Sequence, residues 1–117
     1  MVILYGISNC DTVRKARKWL DQHDINYQYH DFRKDGLQAA TVKEWLQKLG
    51  AEVLINRKSA SWRKLDDLQR EQIELGDPVP VLTSNPTLIK RPVLAIENEL
   101  SVGFNEHQYN ELTNRQE

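Results

Sequence analysis

Apolar positions change their spacing several times along the chain, and each change marks an element. Val2-Ile3-Leu4-Tyr5 is a short apolar run without alternation, bounded by Gly6 and Ser8, which predicts a strand covered on both faces. From Asp11 the period is helical: Val13, Ala16 and Leu20 share a stripe while Arg14, Lys15, Arg17 and Lys18 turn largely outward. Ile25, Tyr27 and Tyr29 then alternate with Asn26, Gln28 and His30, predicting a second strand that ends near Phe32. A helix as the connection makes the two strands parallel and the crossover right-handed. Asp35-Gly36 is a turn signal, after which Val42, Trp45, Leu46 and Leu49 form an amphipathic helix stopped by Gly50. Between Ala51 and Leu82 no strand alternation occurs. Leu65, Leu68 and Ile73 predict helical packing there, and Asp77-Pro78 reads as an N-cap followed by proline at the first helical position. Arg91-Pro92 opens Val93-Leu94-Ala95-Ile96; a turn at Glu97-Asn98-Glu99 comes next; then Leu100, Val102 and Phe104 alternate with Ser101 and Gly103. That is a β-hairpin. Asn105 and Glu106 start a last helix through Leu112, and Asn114 to Glu117 is polar and expected to fray.

The resulting order, βαβ, helices, ββ and helix, predicts an α/β fold: a four-stranded mixed sheet with helices on both faces and a helical insertion between the second and third strands. This is the thioredoxin-like arrangement, although periodicity alone leaves other α/β folds open. A chain of 117 residues has the length of one domain, and no linker, repeat or low-complexity stretch divides it, so residues 1–117 are expected to form a single domain. Hydrophobic content of 39% and charged content of 28% are those of a soluble globular protein. No apolar stretch approaches a bilayer span and no charged n-region precedes Met1 to Tyr5, so the expected compartment is the cytoplasm and no membrane partner is expected. A net charge of −1 supplies no general attraction to nucleic acid.

Chemistry enters with the single cysteine, Cys10, which cannot form an internal disulfide and is therefore buried as a small hydrophobe or exposed for reaction. Its position decides between the two. Cys10 stands in YGISNCDTVRKARKWL, where the first strand gives way to the first helix. There the unpaired N–H groups and the positive end of the helix dipole favour a thiolate, the reactive form. Arg14, one turn on, adds a cationic field, and the Asp11 carboxylate opposes it. His23, His30 and His107 share no ligand spacing with each other or with Cys10, so no metal is expected.

Three stretches, YGISNCDTVRKA, LINRKSASWRKL and NPTLIKRPVL, resemble the arsenate reductase (ArsC)-related family of thioredoxin-fold proteins, which includes Spx-type regulators and the small YffB-type reductases. The likeness covers nearly the whole chain and is greatest to the YffB-type branch, whose NCDTVRKA signature is present in full. It implies Cys10 as nucleophile, a cis peptide between Arg91 and Pro92, and Arg91 beside the thiol as the second catalytic group. It places Asn9, Asp11, Thr12, Arg14, Arg57, Lys58 and Pro92 at the substrate. The chain departs from the family at informative positions. Val13 stands where related proteins carry the resolving cysteine. Gly6 stands where arsenate reductases carry a histidine four residues before the nucleophile. Of their three oxyanion arginines Arg91 keeps one, Asn56 stands at another with Arg57 beside it, and Val102 stands near the third. Efficient arsenate reduction is therefore not expected, because a multiply charged oxyanion needs several charge-assisted donors.

The function these features predict is a cytosolic monothiol oxidoreductase, monomeric, with no tightly bound cofactor. Cys10 forms a mixed disulfide with a small disulfide or reacts with an oxyanion substrate, and glutathione or a glutaredoxin takes the place of the missing second thiol. The alternative is a non-catalytic adaptor or redox sensor of the Spx kind, binding a protein such as RNA polymerase. The RKARK cluster reads as the solvated face of the first helix, and Trp45 as core, whereas Trp19 borders the basic face.

Overall fold

A computed structural model describes residues 1–114. The elements are β1 (Val2–Gly6), α1 (Asp11–Gln22), β2 (Gln28–Asp31), α2 (Phe32–Asp35), α3 (Ala39–Leu49), α4 (Ala51–Leu54), α5 (Ala60–Arg63), α6 (Asp67–Leu75), α7 (Val79–Ser84), a 3-10 turn (Pro86–Leu88), β3 (Val93–Ile96), β4 (Glu99–Val102) and α8 (Glu106–Asn114). Two compact units result, one from Met1–Gly36 with the chain from Arg91 onward, the other from Leu37–Lys90.

The first unit holds the whole sheet, in the order β2-β1-β3-β4, with β1 parallel to β2, antiparallel to β3, and β4 antiparallel to β3. This is a mixed four-stranded, thioredoxin-like sheet with the helical segment inserted between β2 and β3. Leu4, Leu94 and Ile96 pack with Ala16, Trp19 and Leu20 of α1 and with Tyr109 and Leu112 of α8 in one buried cluster. Central β1 thus presents its even positions to α1 and α8, which fixes where α1 begins.

Several boundaries differ from expectation for local reasons. β2 begins at Gln28, not Ile25, because the Ile25 N–H is used by the Leu20 carbonyl at 3.0 Å in closing α1. It ends at Asp31, next to Phe32 as expected, because the buried Asp31 carboxylate accepts the Arg33 N–H at 2.8 Å and the Lys34 N–H at 3.4 Å, turning the chain into α2. The hairpin turn is shorter by one residue: Glu97 takes φ 52° and Glu99 already pairs with Ile96. Phe104 lies beyond β4, where Gly103 at φ 78° donates its N–H to the Pro92 carbonyl, and its ring meets Tyr109 edge-on at 4.9 Å. Trp19 borders the basic face, beside Lys15 and Lys18, yet is itself buried, stacked on His23 at 3.8 Å and edge-on to Tyr109 at 5.6 Å. Asn105 accepts the Gln108 N–H as expected of a cap, whereas the fraying expected beyond Asn114 falls outside the described residues.

The second unit is helical, as its lack of alternation predicts, and Val42 and Trp45 of α3, Leu54, Leu65, Ile73 and Leu82 are buried. An isolated antiparallel bridge, Ile55 with Ile89, ties the residue after α4 to the end of the unit. The expected cap shifts by one residue: Pro78, not Asp77, is the N-cap of α7, while the Asp77 carboxylate still accepts the Val79 N–H at 3.1 Å. Leu68 departs from the expected packing: it is 78% exposed on α6, where only Ile73 is buried. Among the described residues no helix is long and apolar enough to cross a membrane.

Candidate functional site

Cys10 is the N-cap of α1, with extended backbone (φ −117°, ψ 123°) and a carbonyl that accepts the first helical bond from Arg14 at 3.0 Å. The strand ends at Gly6, a short turn intervenes, and the half-buried thiol therefore stands over the open end of α1. It closes no side-chain cap hydrogen bond of ordinary geometry, because a large, diffuse sulfur sits farther out than an oxygen would. It still feels the helix end electrostatically. Burial pushes the Cys10 thiol up; the Val13 amide, the Arg91 guanidinium through hydrogen bonding and charge, and the Thr12 amide outweigh it, and the net shift is downward.

The expected residues separate into three groups. Cys10, Thr12 and Arg91 come together, and the Arg91-Pro92 peptide is cis, with Pro92 buried at the start of β3. Arg14 does not serve the sulfur: its guanidinium is ion-paired with Asp11 and donates to the Ser8 carbonyl at 3.2 Å, so Asp11 and Arg14 cancel each other at the rim. The cation acting on the thiol is Arg91. Arg57 and Lys58 belong to the helical unit. There Arg57 donates to Glu74 Oε1 from Nε at 3.0 Å and Nη2 at 2.7 Å, lies 3.7 Å from a Glu52 oxygen and 5.3 Å from the Trp62 ring. Its charge is thus largely spent locally. Lys58 is exposed, and its N–H donates to Asn56 Oδ1 at 3.1 Å.

Two residues that sequence reasoning passed over belong to the site. Val13 contributes its amide to the sulfur as well as occupying the resolving position. Arg33, at the start of α2, donates from Nη1 to Asn9 Oδ1 at 3.2 Å, immediately before the nucleophile. The signal lay in topology: parallel β1 and β2 end side by side, which makes neighbours of the loop leaving β1 and the helix leaving β2.

Gly6 is closed to side chains. A Cβ there would lie 2.7 Å from Val13 Cγ2 and 3.1 Å from Cγ1, so the histidine that arsenate reductases place at this position has no room while Val13 stands. Gly6→Ala is expected to cost about 1–3 kcal/mol by overpacking. In Gly6→Ala/Val13→Ala the two costs should fall short of additive, because truncating Val13 removes the clash. Urea denaturation of the four proteins tests this; strict additivity would show that the contact relaxes without cost.

A reactive-type thiol at a helix N-terminus, on a mixed four-stranded sheet, defines a thioredoxin-like protein of the thiol-oxidoreductase kind. The profile of the ArsC family matches residues 5–112, and the chain belongs to that family. A solved YffB protein superposes with a TM-score of 0.90 at 34% identity, over 96% of this chain and 98% of that one. An uncharacterized Haemophilus influenzae protein is 42% identical over 109 residues, 93% of this chain and 96% of its own. The global transcriptional regulator Spx of Lactiplantibacillus plantarum is 34% identical over 110 residues, 92% of this chain and 83% of its own.

Proposed function

We propose that this chain is a cytoplasmic monothiol reductase that uses glutathione as co-substrate. The observation that carries the reading is a half-buried thiol shifted toward thiolate by helix amides and Arg91, with no second cysteine in the chain. The Cys10 thiolate attacks one sulfur of a disulfide; a Cys10–S bond forms, the S–S bond breaks, and the other half leaves as a thiolate that takes a proton from water. A glutathione thiolate then attacks the sulfur bound to Cys10, forming a new disulfide and returning the Cys10 thiolate. Every electron pair moves between sulfurs, so no further reductant enters. Arsenate is a poor fit as substrate, since Asn56 and Val102 replace two of the family's oxyanion arginines and Arg57, next to Asn56 in the sequence, is paired with two glutamates.

Likeness to Spx favours one other reading, a protein-binding adaptor in which Cys10 is at most a sensor. One experiment separates them. Incubating native protein with oxidised glutathione is expected to give one adduct per chain, about 305 Da heavier by intact mass, and added glutathione should reverse it. Native protein that resists while unfolded protein accepts the adduct would favour the adaptor.

A further inference from the structure

We infer that Arg33 forms a carboxylate subsite beside Cys10, selecting disulfides that carry a negatively charged group over neutral ones. This subsite rests on thiol exchange at Cys10 and adds to it the substrate class.

Three other arginines of the sheet-bearing unit have occupations of their own. In the sheet-bearing unit Arg14 is neutralised by Asp11, Arg17 donates to the Tyr27 hydroxyl at 3.1 Å and lies 4.1 Å over the Tyr29 ring, and Arg91 is engaged with the thiol. Arg33 differs from all three. It is exposed, it is ion-paired with no carboxylate among the described residues, and its side-chain hydrogen bond goes to a neutral amide, Asn9 Oδ1. One Nη1 contact leaves most of the five guanidinium donors available. The two nearest acids on its own segment are used elsewhere: Asp31 caps α2, and Asp35 Oδ2 accepts the Asp31 N–H at 3.0 Å.

Placement is equally specific. The Arg33 backbone is held by Asp31 at 2.8 Å, and Asn9 tethers the guanidinium to the residue before the nucleophile. A carboxylate a few bonds from a disulfide sulfur therefore meets a planar fork when that sulfur reaches Cys10. A fork binds a carboxylate through two parallel bonds, which an ammonium cannot reproduce. Lys34, the next residue and also exposed, adds charge of the same sign to this edge.

The test compares Cys10 exchange with oxidised glutathione, which carries carboxylates, and with bis(2-hydroxyethyl) disulfide, which carries none. The ratio of the two rate constants is expected to fall about fivefold in Arg33→Gln and further in Arg33→Glu, with Arg33→Lys between wild type and Arg33→Gln. Because the pairing is exposed, added salt should lower the wild-type ratio and leave that of Arg33→Gln nearly flat. The Arg33 side chain is exposed and bonds to an exposed amide, so the variants are expected to fold. A ratio unchanged in all three variants overturns the subsite alone. Wild-type protein that exchanges with neither disulfide overturns the thiol-exchange reading and the subsite with it.

Discussion

Cys10→Ser is expected to lose thiol–disulfide exchange down to the rate of the buffer while gaining about 0.5–1 kcal/mol of stability. The loss is complete because the chain holds no other thiol to substitute, and a serine hydroxyl stays protonated at neutral pH. The gain comes from the same position. Cys10 is an N-cap without a cap hydrogen bond, whereas serine is among the preferred N-caps and its oxygen reaches the N–H groups that sulfur meets only loosely. A site that gives up stability for reactivity has this signature when reverted. Wild-type turnover should also rise with the concentration of glutathione, because Val13 occupies the position of a resolving thiol and only an external one can release the adduct. Residual exchange in the variant would place the chemistry elsewhere, and a loss of stability would show that the thiol packs as a core residue.

The legible part of the chain is the part that depends on near neighbours in sequence. The change of period at Asp11 locates the start of α1 to the residue, and hence locates Cys10 at its cap. Trp19 is harder to place because it stands beside Lys18, and what buries it is Tyr109, far along the chain and on another helix. Leu68 misleads for the opposite reason: helical spacing from Leu65 and Ile73 suggests packing, but α6 turns Ile73 inward and Leu68 out. Arg57 announces itself as a cation next to an apolar run, yet its partner Glu74 lies 17 positions away, and that pairing absorbs its charge. Arg33 is invisible for a related reason. Nothing local links FRK to NC; the parallel register of β1 and β2 does. Charges are legible as charges, and their assignment to sulfur, to carboxylate or to solvent requires the fold.

Arg91→Ala is expected to raise the pH at which Cys10 is alkylated by iodoacetamide and to slow exchange at neutral pH about tenfold or more, the scale of one charge-assisted donor lost. In the native site Arg91 lowers the thiol pKa both by hydrogen bonding and by charge, against the opposing effect of burial. With Arg91 present the thiolate is held to lower pH than burial alone would allow; without it burial dominates more of the balance, and at pH 7 the thiolate fraction drops. The pH profile separates the two roles open to this residue. A thiolate of higher pKa is intrinsically the better nucleophile, so toward neutral iodoacetamide the variant should recover, and overtake wild type, once pH exceeds both inflections. Toward oxidised glutathione a deficit that persists at the same high pH would mean that Arg91 also holds the substrate. Arg91→Lys tells charge from shape: it should restore much of the shift in inflection but less of the rate, because an ammonium keeps the field and loses the fork. Alkylation and exchange curves that coincide with wild type in both variants would leave Arg91 a purely structural residue at the start of β3.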